Sequence, residues 1–401
     1  MKIAMMTNNY LPFIGGVPIS IQRLSDGLRR EGHAVTVFAP TYREQTADRD
    51  VVRYRALPTG IARGAAVPDS FDRDIEREFA KGEFDVIHVH HPMMIGWTAV
   101  YLSRKYNVPL VFTYHTRYEQ YLHYIKASCL KKILPFYIRH FMRFCDMVFA
   151  PTPQMQEYLW QIGCGVPVHV LPTGISDDSF QADAGAAETL RRRILGEDSR
   201  TKYMFCTVAR LAKEKNLEFL FRALAERKRQ KGGSDFRLVL VGDGPEEKQL
   251  RKLAAGLDLE QEIYYAGRVP NEEIKNYCRA SDLFLFSSRS ETQGIVLLEA
   301  MASGTPVVAV RASGVSDIVV DGVNGFMTDV SETAFGEVLG QVLSGPRARL
   351  RRGALDTARK YQVQDIARRA ADCYAAAIAA HEYKDIIAQG NFLLHKISGI
   401  L

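Results

Sequence analysis

Ser290-Glu291-Thr292-Gln293-Gly294-Ile295-Val296-Leu297-Leu298-Glu299-Ala300-Met301-Ala302-Ser303-Gly304-Thr305-Pro306-Val307 holds two carboxylates eight residues apart, on a loop that runs into an apolar helix. Leu283-Phe284-Leu285-Phe286 precedes it and Val307-Val308-Ala309-Val310 follows it, so the whole reads as a helical crossover between two buried strands. Glu299 falls on a helix face otherwise made of Ile295, Leu298 and Ala302, where an unpaired carboxylate would lose on the order of several kcal/mol of hydration. It needs a partner, and a ligand can be one.

Outward from that unit, short apolar runs alternate with amphipathic stretches almost from end to end, which places the chain in the α/β class with parallel, buried strands. The runs fall into two sets. The first has strands near Ile3 to Thr7, Val35 to Ala39, Val86 to His90, Leu110 to Tyr114 and Met147 to Ala150, with a helix through Val17, Ile21, Leu24 and Leu28 after the first strand. The second begins with Tyr203-Met204-Phe205-Cys206-Thr207-Val208, continues through Leu238-Val239-Leu240-Val241 and ends near Val310. Turn residues and a shift in composition coincide at Leu171-Pro172-Thr173-Gly174-Ile175. This predicts domains at residues 1–172 and 173–375, with a C-terminal helix over 376–401 packing back on the first domain.

The length of 401 residues suits two domains, and 47% hydrophobic with 24% charged residues is a globular composition. Six cysteines without a CxxC pair suggest neither a zinc site nor a disulfide framework. The apolar N-terminus is too brief for a secretory signal, and no run reaches the ~18 apolar residues of a membrane span. The expectation is a cytoplasmic protein, or at most one lying peripherally on the inner face of the cell membrane. Residues 1–175 hold 20 Lys and Arg against 15 Asp and Glu, which takes up most of the net charge of +6. Within them, residues 117–143 carry Arg117, Lys126, Lys131, Lys132, Arg139 and Arg143 against Glu119 alone.

Gly15-Gly16 lies between the first strand and the first helix, where glycines let a backbone approach an anion and the helix dipole favours negative charge. An ordinary flexible loop has the same composition. Arg210 and Lys215 follow the first strand of the second set, two cations opposing a helix dipole, and an anion between them would relieve the conflict. A solvated charged loop is the alternative. Gly242-Asp243-Gly244 also follows a strand, but the third glycine of a dinucleotide fingerprint would fall at Glu247, so NAD is rejected. Asp48-Arg49-Asp50 and Asp72-Arg73-Asp74 follow no buried strand and read as surface charge. His115 ends Leu110-Val111-Phe112-Thr113-Tyr114 at a strand terminus, as a structural residue or a site residue. The basic segment mixes its cations with Tyr118, Tyr121, Tyr124, Phe136, Tyr137 and Phe141 and is interrupted by Pro135. Such a face either lies in an anionic lipid interface or packs on its own sheet, and no recognition motif supports nucleic-acid binding.

Taken together these residues resemble a retaining glycosyltransferase of family 4, the GT-B type with two Rossmann-like doubly wound domains facing across a cleft. The likeness spans essentially the whole chain. Its most specific parts are the Glu291-x7-Glu299 element with Gly294, the Ser303-Gly304-Thr305-Pro306-Val307 run, and Arg210 with Lys215 at their spacing. The Glu-Thr-Gln-Gly loop and Thr113-Tyr114-His115-Thr116-Arg117-Tyr118 resemble bacterial diacylglycerol glucosyltransferases in particular.

The resemblance implies an acceptor-binding first domain and a donor-binding second one. Glu299 would accept from the nucleotide ribose, and Arg210 and Lys215 with the Gly15 and Gly16 amides would hold a diphosphate. Glu291 and the backbone of Gln293, Gly294 and Ile295 would hold the sugar, with His115 reaching it from the first domain. Lys126, Lys131, Lys132, Arg139 and Arg143 would face an anionic membrane. The implied donor is UDP-glucose and the implied acceptor diacylglycerol, with no cofactor and no metal. A soluble or polysaccharide acceptor, a nucleotide-sugar 2-epimerase and a non-catalytic nucleotide-sugar binding module stay open.

Overall fold

The computed structural model describes residues 1–13, 15–42, 48–58, 66–69, 72–118, 133–196 and 202–398. The chain divides into two compact units, Met1–Gly174 with Val363–Leu401, and Ile175–Gln362. The first crossing comes after Gly174 rather than Pro172, and the return comes at Val363 rather than at residue 376.

Unit 1 runs β1 (Lys2–Met6), α1 (Gly16–Arg30), β2 (Ala34–Pro40), β3 (Val51–Tyr54), β4 (Ala56–Pro58), β5 (Ala66–Pro68), α2 (Arg73–Gly82), β6 (Val86–Val89), α3 (Ile95–Tyr106), β7 (Leu110–Thr113), α4 (Leu134–Met142), β8 (Met147–Ala150), α5 (Pro153–Gln161) and β9 (Val168–Val170). Seven strands form a parallel sheet in the order β3-β2-β1-β6-β7-β8-β9, and β4 pairs antiparallel with β5. Alternate residues of the central strands feed opposite faces. Ala4, Met6, Ile87, Val89 and Phe112 pack with Ile138 and Phe141 of α4 on one side, and Ile3, Met5, Val86 and Val111 with Ile21 and Leu28 of α1 on the other.

Unit 2 runs α6 (Ala184–Leu195), β10 (Tyr203–Val208), α7 (Leu217–Lys231), β11 (Phe236–Val241), α8 (Glu247–Gly256), β12 (Ile263–Gly267), α9 (Ile274–Ala280), β13 (Leu283–Phe286), α10 (Ile295–Ala302), β14 (Val307–Val310), β15 (Gly325–Thr328), α11 (Glu332–Ser344) and α12 (Arg347–Arg359). Its parallel sheet has the order β12-β11-β10-β13-β14-β15. Met204, Cys206, Phe284 and Val307 face α6, α9, α10 and α12, while Phe205, Leu238, Leu283 and Val308 face α7, α8 and α11. Helix α13 (Val363–Ser398) then returns to unit 1, where Ile366, Ala367, Ala370, Tyr374 and Ala377 join the core beside α1.

Both sheets are doubly wound. Strand order reverses at β1/β6 in unit 1 and at β10/β13 in unit 2, and ligands of such sheets gather beyond the carboxyl ends of the strands at these reversals. The Asp72 carboxylate is not surface charge as expected. It is buried and caps α2, accepting from the Asp74 N–H at 3.0 Å and the Arg55 N–H at 2.8 Å, because the first amides of a helix have no partner of their own.

Candidate active site

In unit 2 the reversal brings the segment after β10 beside the segment after β13. Lys213–Lys215 makes a single 3-10 turn that ends on Asn216 at φ 53°. Two buried serines from the β13 side fasten it: Ser287 Oγ donates to the Lys215 carbonyl at 2.8 Å and Ser288 Oγ to the Glu214 carbonyl at 3.2 Å. So held, Lys215 Nζ donates to Glu291 Oε1 at 2.6 Å. Burial works against the Glu291 charge, but the Lys215 ammonium and its hydrogen bond outweigh it and keep the carboxyl below its usual range. Two residues read from the sequence with separate tasks thus form one ion pair.

Arg210 lies two residues past β10 with an exposed side chain. Its backbone neighbours are pinned by the Gly242-Asp243-Gly244 loop. Leu211 N–H donates to the Asp243 carbonyl at 2.9 Å, and a Cβ on Gly242 would lie 2.0 Å from the Ala209 carbonyl oxygen, so these glycines serve close packing behind Arg210.

Helix α10 starts on Gly294 at φ 70°, a left-handed conformation that favours glycine, with no side-chain cap and no acid in its first turn. Its positive dipole end therefore lacks a compensating carboxylate in the first turn. Gln293 and Gly294 are buried and Ile295 is half-buried. On the same helix Leu298 and Ala302 are buried while Glu299 is half-buried, so it lies at the margin of the apolar face. The sequence missed Gly314. At φ 74° its backbone presses on the loop before α10, and a Cβ there would lie 2.8 Å from the Thr292 carbonyl carbon and 2.9 Å from both the Gln293 nitrogen and the Glu291 carbonyl oxygen. Gly314→Ala is therefore expected to displace residues 291–293 and cost ~10-fold or more in kcat/KM, with a melting temperature lower by several degrees; near wild-type kinetics would show that this loop tolerates the shift.

In unit 1, α1 begins at Gly16 behind Gly15, again with no side-chain cap and no acid in the first turn. Gly15 has an extended φ of −173°, but a Cβ there would lie 3.3 Å from the Phe13 ring, whereas a Cβ on Gly16 would meet nothing within 4 Å, so Gly16 is not required by the fold itself. His115, half-buried, lies two residues past β7, and its Nε2 is 2.8 Å from Nδ1 of His90 at the end of β6. Behind them His88 Nε2 is 2.6 Å from Thr113 Oγ1, and its Nδ1 is 2.7 Å from the Tyr374 hydroxyl of α13. His91 Nδ1 accepts from the Asn8 N–H at 3.2 Å. Burial pushes His88 down to about 3 and His91 to about 4, and both His90 and His115 well below the usual imidazole range. Sequence reasoning singled out His115 alone, although three histidines in four positions after Val86-Ile87 signalled the cluster.

The basic segment divides. Lys126, Lys131 and Lys132 lie outside the described residues. Helix α4 buries Leu134, Ile138, Phe141 and Met142 against the sheet, while Ile133 and Phe136 stay about 60% exposed (59% and 62%). The Arg139 guanidinium lies 5.4 Å from the Phe136 ring centroid, and Arg143 is exposed. Packing and an outward basic-aromatic face, set against each other in the sequence reading, occupy two sides of one helix. Among the described residues no helix is long and apolar enough to cross a membrane.

Residues 14–179 match the family model described as Glycosyltransferase Family 4, and residues 191–360 the model described as Glycosyl transferases group 1. The alpha-monoglucosyldiacylglycerol synthase of Streptococcus pneumoniae is 30% identical over 360 residues, covering 86% of this chain and 79% of that protein. The chain belongs to glycosyltransferase family 4. This glycosyltransferase is also 27% identical over 338 residues to a GDP-mannose-dependent alpha-mannosyltransferase of Corynebacterium glutamicum, covering 82% of this chain and 77% of that protein. Among solved structures, sucrose-phosphate synthase from Thermosynechococcus elongatus aligns with a TM-score of 0.78 at 19% identity, covering 95% of this chain and 100% of that one. Anabaena Alr3699/HepE in complex with UDP aligns with a TM-score of 0.75 at 20% identity, covering 94% and 100%. The GT-B fold of this family 4 enzyme agrees with the α/β, two-domain expectation.

Proposed function

We propose that this glycosyltransferase moves glucose from UDP-glucose to a hydroxyl of diacylglycerol at a membrane surface, with retention of configuration. The observation that carries the reading is the meeting of the Lys215–Glu291 pair, exposed Arg210 and the uncapped start of α10 at the strand reversal of unit 2. In unit 2 Arg210 and Lys215 take the diphosphate and Glu299 accepts from the ribose hydroxyls; in unit 1 the Gly15 and Gly16 amides at the start of α1 are donors for an anion. The Gln293, Gly294 and Ile295 backbone with Glu291 holds the sugar, and in unit 1 His115 is a hydrogen-bond partner for a substrate hydroxyl. The bond from the anomeric carbon to the phosphate oxygen breaks, the acceptor oxygen bonds to that carbon from the same face, and a phosphate oxygen takes the acceptor proton. Cations and amides at the leaving group stabilise the charge that develops there. A double displacement through a carboxylate is the competing route to the same product.

The names of the pneumococcal relative and of the Acholeplasma laidlawii alpha-monoglucosyldiacylglycerol synthase support the acceptor. So do exposed Ile133 and Phe136 on the stretch of α4 that carries Arg139 and leads to Arg143. Incubation with UDP-glucose and diacylglycerol, run beside GDP-mannose and a panel of soluble acceptors, is the test. The expected product is α-glucosyldiacylglycerol; transfer to a soluble acceptor with none to lipid would overturn the lipid assignment. Glu299→Ala is expected to raise the donor KM by about 1.5–3 kcal/mol in binding terms, the worth of a hydrogen bond to a charged group, and an unchanged donor affinity would sink the ribose assignment. Vesicles rich in anionic lipid are expected to bind the protein less as salt is added, at roughly 1 kcal/mol per basic residue near the surface. Equal binding to neutral vesicles at every salt concentration would count against it.

A further inference from the structure

His90 is 1% exposed, and its ring lies within 26° of the plane of the His115 ring with centroids 5.1 Å apart, the edge-to-edge approach that a hydrogen bond between two ring nitrogens requires. Its Nδ1 is spent on His115 Nε2, and its own Nε2 is buried without a partner. Beside both rings is a cavity of about 10 Å³, also lined by Ser20, Thr113 and Thr173. That volume holds about one water, and three hydroxyl side chains on its wall make it polar enough to keep one. Thr173 Oγ1 donates to Ser20 Oγ at 2.8 Å, so the Ser20 hydroxyl proton remains to be given.

We propose that His90 is the positioning residue for His115, with one buried water on His90 Nε2 completing the chain. A contact between two imidazole nitrogens carries one proton. If it sits on His90 Nδ1, His90 Nε2 accepts from the water, His115 Nε2 accepts from His90, and the proton of the His115 ring lies on Nδ1. If it sits on His115 Nε2, the polarity of the whole chain reverses. In either case His90 selects a single tautomer of His115, which decides whether the ring gives or takes a hydrogen bond at substrate. Burial holds both rings neutral, so the tautomer and not the charge is what remains to be set.

The inference rests on the proposed contact of His115 with substrate, and the experiment separates the two. His90→Leu, His90→Asn and His115→Ala are assayed with UDP-glucose, and the ring nitrogens of wild type and the His90 variants are read by 15N NMR. His90→Leu is expected to lower kcat about 10- to 100-fold with donor KM within about twofold, the scale of an outer hydrogen-bond partner. His90→Asn keeps a polar atom near the Nδ1 position and is expected to recover most of that loss. The spectra are expected to show one His115 tautomer in wild type and His90→Asn, and a mixture in His90→Leu. Equal losses in Leu and Asn, or a mixed tautomer in wild type, would overturn the proposal, and the wild-type spectrum decides even if His90→Leu fails to fold. A near-normal kcat in His115→Ala would overturn the substrate contact instead, while the spectra still judge the coupling.

Discussion

Lys215→Met is expected to lower kcat/KM by about 100-fold, or ~2.7 kcal/mol, the scale of removing one preorganised group from a developing negative charge. The same change strands a carboxylate. Glu291 is 18% exposed and Lys215 21%, so the pair is largely but not wholly desolvated. Losing the cation should destabilise unit 2 by about 1–3 kcal/mol, below the figure for a fully buried pair. Lys215→Met combined with Glu291→Gln removes the stranded charge, and its melting temperature is expected to recover while its activity does not. A double variant that regained activity would mean that neither charge is needed at the substrate and that the pair only satisfies itself. Because the folded Glu291 carboxyl lies below its usual range, the stability it adds is present above about pH 4.5 and is lost as pH falls through the folded value. That acid limb should vanish in Lys215→Met.

Acidification from pH 7.5 to 5.5 is expected to weaken unit 1 and spare unit 2. All ten histidines fall within the residue ranges of unit 1. His88 and His91, held down to about 3 and about 4, must stay neutral while folded, whereas in the unfolded chain they take a proton near pH 6.5. Stability is therefore complete above that value and falls by about 1.4 kcal/mol per pH unit for each ring until the folded value is reached. At pH 5.5 the two rings account for ~3 kcal/mol, or a melting temperature lower by about 6–12 °C. Both tryptophans lie in unit 1, and Trp97 is fixed there by a 2.8 Å hydrogen bond to the Tyr137 hydroxyl. Tryptophan fluorescence thus reports this unit selectively. A transition that stays in place between pH 7.5 and 5.5 would mean that these rings are hydrated in the folded chain.

The strands that could be read from the sequence were the central ones. Met147–Ala150, Tyr203–Val208, Leu283–Phe286 and Val307–Val310 are covered on both faces, which demands unbroken apolar runs. The strands of the two large sheets that escaped, β3, β9, β12 and β15, are their four edges. There Arg53 and His169 are tolerated, and the apolar signal lapses. The site was legible to the same degree. Glu291, Glu299, Arg210 and Lys215 stood out because charge beside a buried strand is costly unless it has a use. The ion pair between Lys215 and Glu291, the serines that fasten it, and the pressure of Gly314 on the 291–293 loop join segments far apart in sequence, and no local pattern encodes such meetings. His90 was hidden for the opposite reason. It lies so close to a strand that it read as the strand's last residue.

Helix α13 has a consequence for the order in which the protein is made. Unit 2 occupies one continuous run, whereas unit 1 needs Val363 and beyond. A nascent chain that has released only its first 174 residues still lacks Ile366, Ala367, Ala370 and Tyr374, and leaves the part of this core that α13 covers beside α1 open. The first-synthesised unit is therefore the last to be finished. Until that helix docks it presents a sticky face of the kind that chaperones hold.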